Sequence, residues 1–183
     1  MSATPVLTAR SAAGLECRLL GPRLKMPQIS MRRAQPSESR EIATWIKARH
    51  YSKRTPPGYA VALEFVEDRE RIGAMLLGRP GPRALKSPPI LELTRMYFVD
   101  EAAPMVESHS LSMMRRFVRT WMPQIRLLLA YSDPAQGHAG TVYEADGWAQ
   151  LGYTTHKSGH GWRSRPNRSE DPVSVKVRWV RTP

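Results

Sequence analysis

The sequence predicts an α/β fold in which one mixed central sheet is flanked by helices. Three observations predict it. Segments that alternate like strands and segments with helical periodicity interleave in the order β-α-β-β-β-α-β-α-β-β. An early pair of strands is joined by only a short charged turn, which makes a hairpin. A later segment, IRLLLAYS at residues 125–132, is almost wholly apolar, as a strand buried on both faces of a sheet must be.

Residues 1–27 contain Pro5, Gly21, Pro22 and Pro27 and show no sustained periodicity, so an irregular basic N-terminal arm is expected there. Residues 28–183 are expected to form one domain. Residues 28–34 (QISMRRA) alternate and start it as a strand. Ser37 is placed to cap a helix in which Ile42, Trp45 and Ile46 recur at helical spacing. That helix runs into His50, Tyr51 and Ser52, and Pro56, Pro57 and Gly58 stop it. Residues 59–66 and 71–77 pair as a hairpin around the charged turn 67–70. A Pro/Gly-rich loop at 78–89 leads to a long strand of bulky residues at 90–99, ILELTRMYFV. Leu111, Met114, Val118 and Trp121 then mark an amphipathic helix over about residues 108–122. Residues 140–145 read as a short helix stopped by Gly147, 150–156 as a strand, 159–172 as a basic loop, and 174–181 (SVKVRWVR) as the closing strand.

Composition bounds the function. The 183 residues are 41% hydrophobic, enough for a core and too many for a wholly disordered chain. Lys and Arg number 28 against 16 Asp and Glu, a net charge of +12. The excess is concentrated at the two ends of the chain, where arms that hold phosphates would sit. An anionic partner follows, with nucleic acid foremost. No apolar run approaches a bilayer span, and no secretory apolar block opens the chain, so a cytoplasmic, non-membrane protein is expected. A single cysteine, Cys17, excludes an internal disulfide framework and a Cys-rich zinc site. His109, His138, His156 and His160 fit no compact ligand spacing, so no metal site is assigned and any catalytic metal stays unidentified.

Two features suggest chemistry from residue type and position. Asp133 ends the most apolar strand, where ligands of α/β sheets bind, and its carboxylate can take a proton from an amine. Asp before Pro also starts turns, so a local role is compatible. The basic loop holds Lys157, Trp162, Arg163, Arg165 and Arg168, with no acid in residues 157–168. Guanidinium groups grip phosphate in bidentate fashion, and an exposed Trp stacks on bases, which suits a DNA-binding segment.

The element order, the strand–helix unit built on ILELTRMYFV, the strand RLLLAYSDP and the segment TVYEADGW together resemble the GNAT acyltransferase fold over roughly residues 28–182. TVYEADGW matches the "YEKxGF" signature of that core. The wording HYSKR, LELTRMYFVD, ES and AYSDPAQGHAGTVYEADGW is more specific. It is similar to the phage Mom DNA-modification proteins, which modify the N6 amine of adenine and so shield phage DNA from host restriction enzymes.

The resemblance implies double-stranded DNA and a CoA-type donor as partners, with acetyl-CoA or another acyl-CoA as cofactor. The oligomeric state is left open, a homodimer included. The resemblance places His50 and Tyr51 beside the acceptor, where Tyr51 can stack on a base and either residue can move a proton. It makes Tyr143 a general acid toward a departing thiolate. It lets the main chain of residues 94–98, with Thr94, Met96 and Phe98, bind a pantetheine arm as an added strand.

One departure is plain. The R/Q-x-x-G-x-G/A pyrophosphate loop of GNAT proteins is replaced by DEAAPMVESHSLS, which has no glycine. Ser108, Ser110 and Ser112 at the predicted helix start offer hydroxyls and free N–H groups for phosphate instead, while Ser108 can equally cap the helix. The resulting expectation is a Mom-like DNA-modifying transferase that flips adenine between His50–Tyr51 and Asp133. The rivals are a GNAT N-acetyltransferase using acetyl-CoA on a protein, small amine or aminoacyl-tRNA, and a DNA-binding module on a degenerate fold.

Overall fold

The computed structural model describes residues 28–56, 58–81, 89–154 and 174–183. The expected arm at 1–27 and the expected basic loop lie outside them. The elements are β1 (Ser30–Arg33), α1 (Pro36–Arg49), β2 (Tyr59–Glu67), β3 (Glu70–Gly78), β4 (Ile90–Phe98), α2 (Val106–Trp121), β5 (Leu127–Ser132), a 3₁₀ turn (Pro134–Gln136), α3 (Thr141–Ala145), β6 (Ala149–Tyr153) and β7 (Val177–Arg181). Their order is the one the periodicity predicts. They build one seven-stranded sheet, β1-β2-β3-β4-β5-β7-β6, in which β4 and β5 are parallel and every other pair is antiparallel. Among the described residues no helix is long and apolar enough to cross a membrane.

The hairpin forms because Asp68 and Arg69, between the paired Glu67 and Glu70, both adopt positive φ. Two such residues make the turn whose twist suits a two-residue connection. Helix α1 starts at Pro36, and Gln35 rather than Ser37 is its cap. Proline suits the first helical position, and the Glu38 carboxylate reaches back to accept the Gln35 N–H at 2.9 Å. Helix α2 starts two residues before the expected 108, because Val106 is itself drawn into the core.

The two helices cover opposite faces of the sheet. Leu111, Met114 and Val118 of α2 pack on Phe65, Met75 and Leu128. Ile42 and Ile46 of α1 pack on Ala62, Ala74 and Leu76. Each of these side chains is essentially fully buried, and burying one of the larger ones, Leu, Ile, Val, Met or Phe, is worth about 1.5–3 kcal/mol.

Two departures from regularity shape the middle of the sheet. Strand β4 pairs with β5 only from Ile90 to Leu93, opposite Leu127 to Ala130, although both strands continue beyond. On its other side β4 carries a bulge. Leu76 faces Arg95 and Leu77 faces Leu93, which leaves Thr94 as the extra residue outside the ladder. Strand β7 begins at Val177 rather than residue 174. The Ser174 hydroxyl turns to Asp133, and the Lys176 N–H goes to the Thr154 hydroxyl instead of a strand partner.

Gly140 sits where only glycine fits. Its φ is +96°, and a Cβ there would lie 2.3 Å from the indole of the buried Trp179. Gly140→Ala combines backbone strain with a clash, so a loss of about 3 kcal/mol is expected in urea unfolding. An unchanged midpoint would refute this account of the turn.

Candidate active site

Where β4 and β5 part, a cleft of about 640 Å³ opens. Its walls come from the end of α1 (His50, Tyr51), the bulged half of β4 (Thr94, Met96, Phe98), the end of β5 (Tyr131, Ser132, Asp133), residues 137–143, the α2 approach (Asp100, Glu107) and Lys176. Tyr51 and Asp133, far apart in sequence, therefore share one cavity.

Asp133 is 4% exposed. One carboxylate oxygen accepts the Ala135 N–H at 3.2 Å and the other accepts the Ser174 hydroxyl. The first of these bonds caps the 3₁₀ turn, so the turn-forming role is real and coexists with a place in the cleft. Each oxygen keeps a further lone pair for a donor in the cleft.

Tyr51, 39% exposed, stands between two imidazoles. Ring centroids are 4.3 Å apart to His50 and 5.4 Å to His138. Burial and the negative charge of Asp133 both raise its pKa, so Tyr51 is a neutral phenol and a hydrogen-bond donor at pH 7.

His50 accepts the Ser52 N–H at Nδ1, 3.1 Å, which leaves the proton of the neutral ring on Nε2. Burial lowers its pKa to about 4, with help from the positive charges of Arg95, Lys176 and Lys53. His50 is thus neutral at pH 7 and suited to donate a hydrogen bond rather than to take a proton. The unfolded chain binds this proton near pH 6.5 and the folded one only near pH 4. The resulting loss of stability grows as pH falls through that window. The stability advantage of wild type over His50→Gln should therefore shrink between pH 6.5 and pH 4 in urea titrations. A constant difference would contradict the buried neutral imidazole.

Tyr143 lines the same cleft but is also core. It stacks on Trp179 at 5.8 Å and meets Trp148 edge-on at 5.3 Å, and burial raises its pKa. On β4, the Thr94 hydroxyl donates to the Leu76 carbonyl at 2.9 Å. Phe98 packs on Phe65 and fills the space beside Gly73. Met96 and Phe98 serve the core and the cleft wall together.

The start of α2 differs from the expectation for the serines. Ser108 is the third residue of α2, and its hydroxyl donates to the Met105 carbonyl at 3.0 Å, so it is not the cap. Ser110 is fully buried in the helix. None of Ser108, Ser110 and Ser112 is among the residues that line the cleft. Glu107 lines it in their place. Lys157, Trp162, Arg163, Arg165 and Arg168, together with His156 and His160, lie outside the described residues. Among the described residues no cluster of three His, Cys, Asp or Glu could hold a metal ion.

Sequence reasoning missed Glu92, Arg95, His138 and Lys176 as cleft residues. Glu92 and Arg95 are charges inside an otherwise apolar strand, a signal that was legible. His138 follows Asp133 by five residues and shares its loop. Lys176 had no such signal, since an exposed-face lysine on an alternating strand is ordinary.

Comparison with known proteins fits this geometry. The description "Mom protein family" applies to a family profile that matches residues 31–170. The methylcarbamoylase mom of Escherichia phage Mu is 26% identical over 123 residues, 63% of this chain and 50% of that protein, so the chain spans about half the length of that curated relative. Among solved structures, a GNAT acetyltransferase from Streptococcus pneumoniae superposes with a TM-score of 0.58 at 9% identity, covering 85% of this chain and 99% of that one. The spermidine/spermine N-acetyltransferase of Vibrio cholerae gives 0.57 at 10% identity, covering 85% and 95%. An aminoglycoside acetyltransferase in complex with coenzyme A and kanamycin gives 0.59 at 12%, covering 84% and 94%. The parted parallel strands, the bulge before them and the matched residues lead to one conclusion: on the fold of the GNAT acetyltransferases, this chain is a member of the Mom protein family.

Proposed function

We propose that this protein is a phage-type DNA-modifying transferase that adds a small carbon group, of the carbamoylmethyl type, to the N6 amine of adenine and so protects DNA from restriction. The observation that carries the reading is the shared cleft. In a Mom-family chain it brings a carboxylate, a protonated phenol and a parted pair of strands to one place.

The adenine must leave the duplex to be reached, at a cost of a few kcal/mol that phosphate contacts offset. Tyr51 is exposed enough to stack on the flipped base, backed by His50 and His138. The amine nitrogen bonds to the electrophilic carbon of the donor, whose leaving group departs with the electron pair. Asp133 accepts the amine proton, and the phenol of Tyr51 and Nε2–H of His50 are available as donors to developing negative charge.

An acyl thioester of coenzyme A, when bound, would offer its carbonyl carbon and leave an amide on the amine with release of the thiol. A carbamoylmethyl group is joined through its CH₂ and needs a donor carrying a leaving group on that carbon, a species the fold does not specify. The extended arm of coenzyme A fits the slot beside the Thr94 bulge, where the main chain lies outside the ladder. Its diphosphate fits less well. Asp100 and Glu107 face the cleft at the start of α2, and no Lys or Arg occurs between Val99 and Met114. No step is assigned to that end of the donor.

The competing reading, N-acetylation of a protein, small amine or aminoacyl-tRNA, takes support from the acetyltransferase fold alone. Mass spectrometry of nucleosides from DNA co-expressed with the protein decides between them. A modified deoxyadenosine is the expected result. Unaltered nucleosides beside an acetylated amine or protein would overturn the proposal.

A further inference from the structure

Charge is unevenly distributed in the cleft. On the α2 side the wall carries Asp100 and Glu107. The cleft also carries Arg95 and Lys176, whose charges both act on His50 and on Glu92. Arg95 is held in place: one guanidinium nitrogen donates to the Thr94 carbonyl at 2.6 Å and another to the Ser52 hydroxyl at 3.0 Å. Ser52 directly follows Tyr51, so this guanidinium is fixed beside the acceptor residues.

The main chain of Lys176 is equally anchored. Its N–H donates to the Thr154 hydroxyl at 2.9 Å, and its carbonyl accepts the Thr154 N–H at 2.8 Å. Its half-buried side chain lines the cleft and forms no salt bridge or hydrogen bond among the described residues. Its positive charge reaches both His50 and Glu92. With no carboxylate in salt-bridge contact among the described residues, this ammonium group is available to an anionic ligand in the cleft. Glu92 is the nearby acid, and it is engaged by the Gly81 N–H at 3.1 Å.

We infer that Lys176, with Arg95 beside it, forms the phosphate-binding subsite of this cleft, and that the phosphate it holds flanks the nucleotide whose base lies against Tyr51. The inference rests on the DNA reading above for the source of the phosphate. The chemistry is the same for a phosphorylated donor, and the test separates the two. Lys176 directly precedes strand β7 and lies beyond the residues matched to the family profile, whereas Arg95 on β4 lies within them.

The test measures binding of the full-length protein to a short 5′-phosphorylated oligodeoxyadenylate, to deoxyadenosine and to coenzyme A, for wild type, Lys176→Ala and Lys176→Arg. Lys176→Ala should weaken the oligonucleotide about tenfold and leave deoxyadenosine unchanged, with Lys176→Arg restoring most of the loss. The slope of log affinity against log salt should fall by about one in Lys176→Ala, an effect a packing defect would not mimic. Loss confined to coenzyme A would assign the same phosphate subsite to the donor. A folded Lys176→Ala protein that binds every ligand like wild type would overturn the inference. Failure of the transferase reading looks different. A protein that leaves DNA nucleosides unaltered yet loses oligonucleotide binding on Lys176→Ala keeps the subsite and loses the chemistry.

Discussion

Asp133→Asn should reduce DNA modification by about 10²- to 10⁴-fold, the range of a lost general base, while the protein stays folded. The side chain is nearly isosteric. Its amide oxygen can still accept the Ala135 N–H, and its NH₂ can donate to the Ser174 hydroxyl oxygen, so both structural contacts survive in altered form. What is lost is the ability to accept the amine proton. This separation matters because Asp133 has two roles, capping the 3₁₀ turn and facing the cleft. Asp133→Ala would remove both and is the weaker test. Modified nucleoside, quantified by mass spectrometry at matched protein levels, is the measurement, with circular dichroism as the folding control. Undiminished modification in Asp133→Asn would reject the proton-accepting role and confine the residue to the turn.

Asp146→Ala should cost about 3–5 kcal/mol of stability, the range for breaking one side of a buried ion pair. Asp146 accepts two hydrogen bonds from Arg115, each at 2.7 Å, and a third from the Trp148 indole at 2.9 Å. The side chains are only 5% and 15% exposed for Asp146 and Arg115. Removing the carboxylate leaves a guanidinium without its partner inside the α2–α3 contact and an indole N–H unsatisfied. Urea unfolding checks the magnitude. Replacing both partners, Arg115→Met with Asp146→Leu, should recover much of the loss, since no buried charge then remains. A single variant within about 1 kcal/mol of wild type would show that water or other groups satisfy Arg115. The pair also holds α3, and with it Tyr143 and Gly140, against α2. Activity should therefore fall along with stability.

The sequence by itself determined the class, number and order of the elements, because periodicity reports which face of each segment is buried. The apolar run of residues 125–132 announced a central strand, and Leu111, Met114 and Val118 announced the face of α2. It also singled out Asp133, since residue type and position at an element's end are local facts, whereas Tyr51 was singled out by the family resemblance. Only the tertiary structure decided what those residues stand beside. The start of α2 depended on Val106 finding a place in the core, and the packing of α2 left Ser108, Ser110 and Ser112 off the cleft lining. The parting of β4 from β5 and the bulge at Thr94 are properties of strand pairing, which no single strand's pattern contains. His138 against Tyr51, and Lys176 in one cleft with Glu107, are meetings between segments distant in the chain. Local patterns record burial, whereas a site is defined by distance and charge between elements, and those quantities exist only once the sheet has assembled.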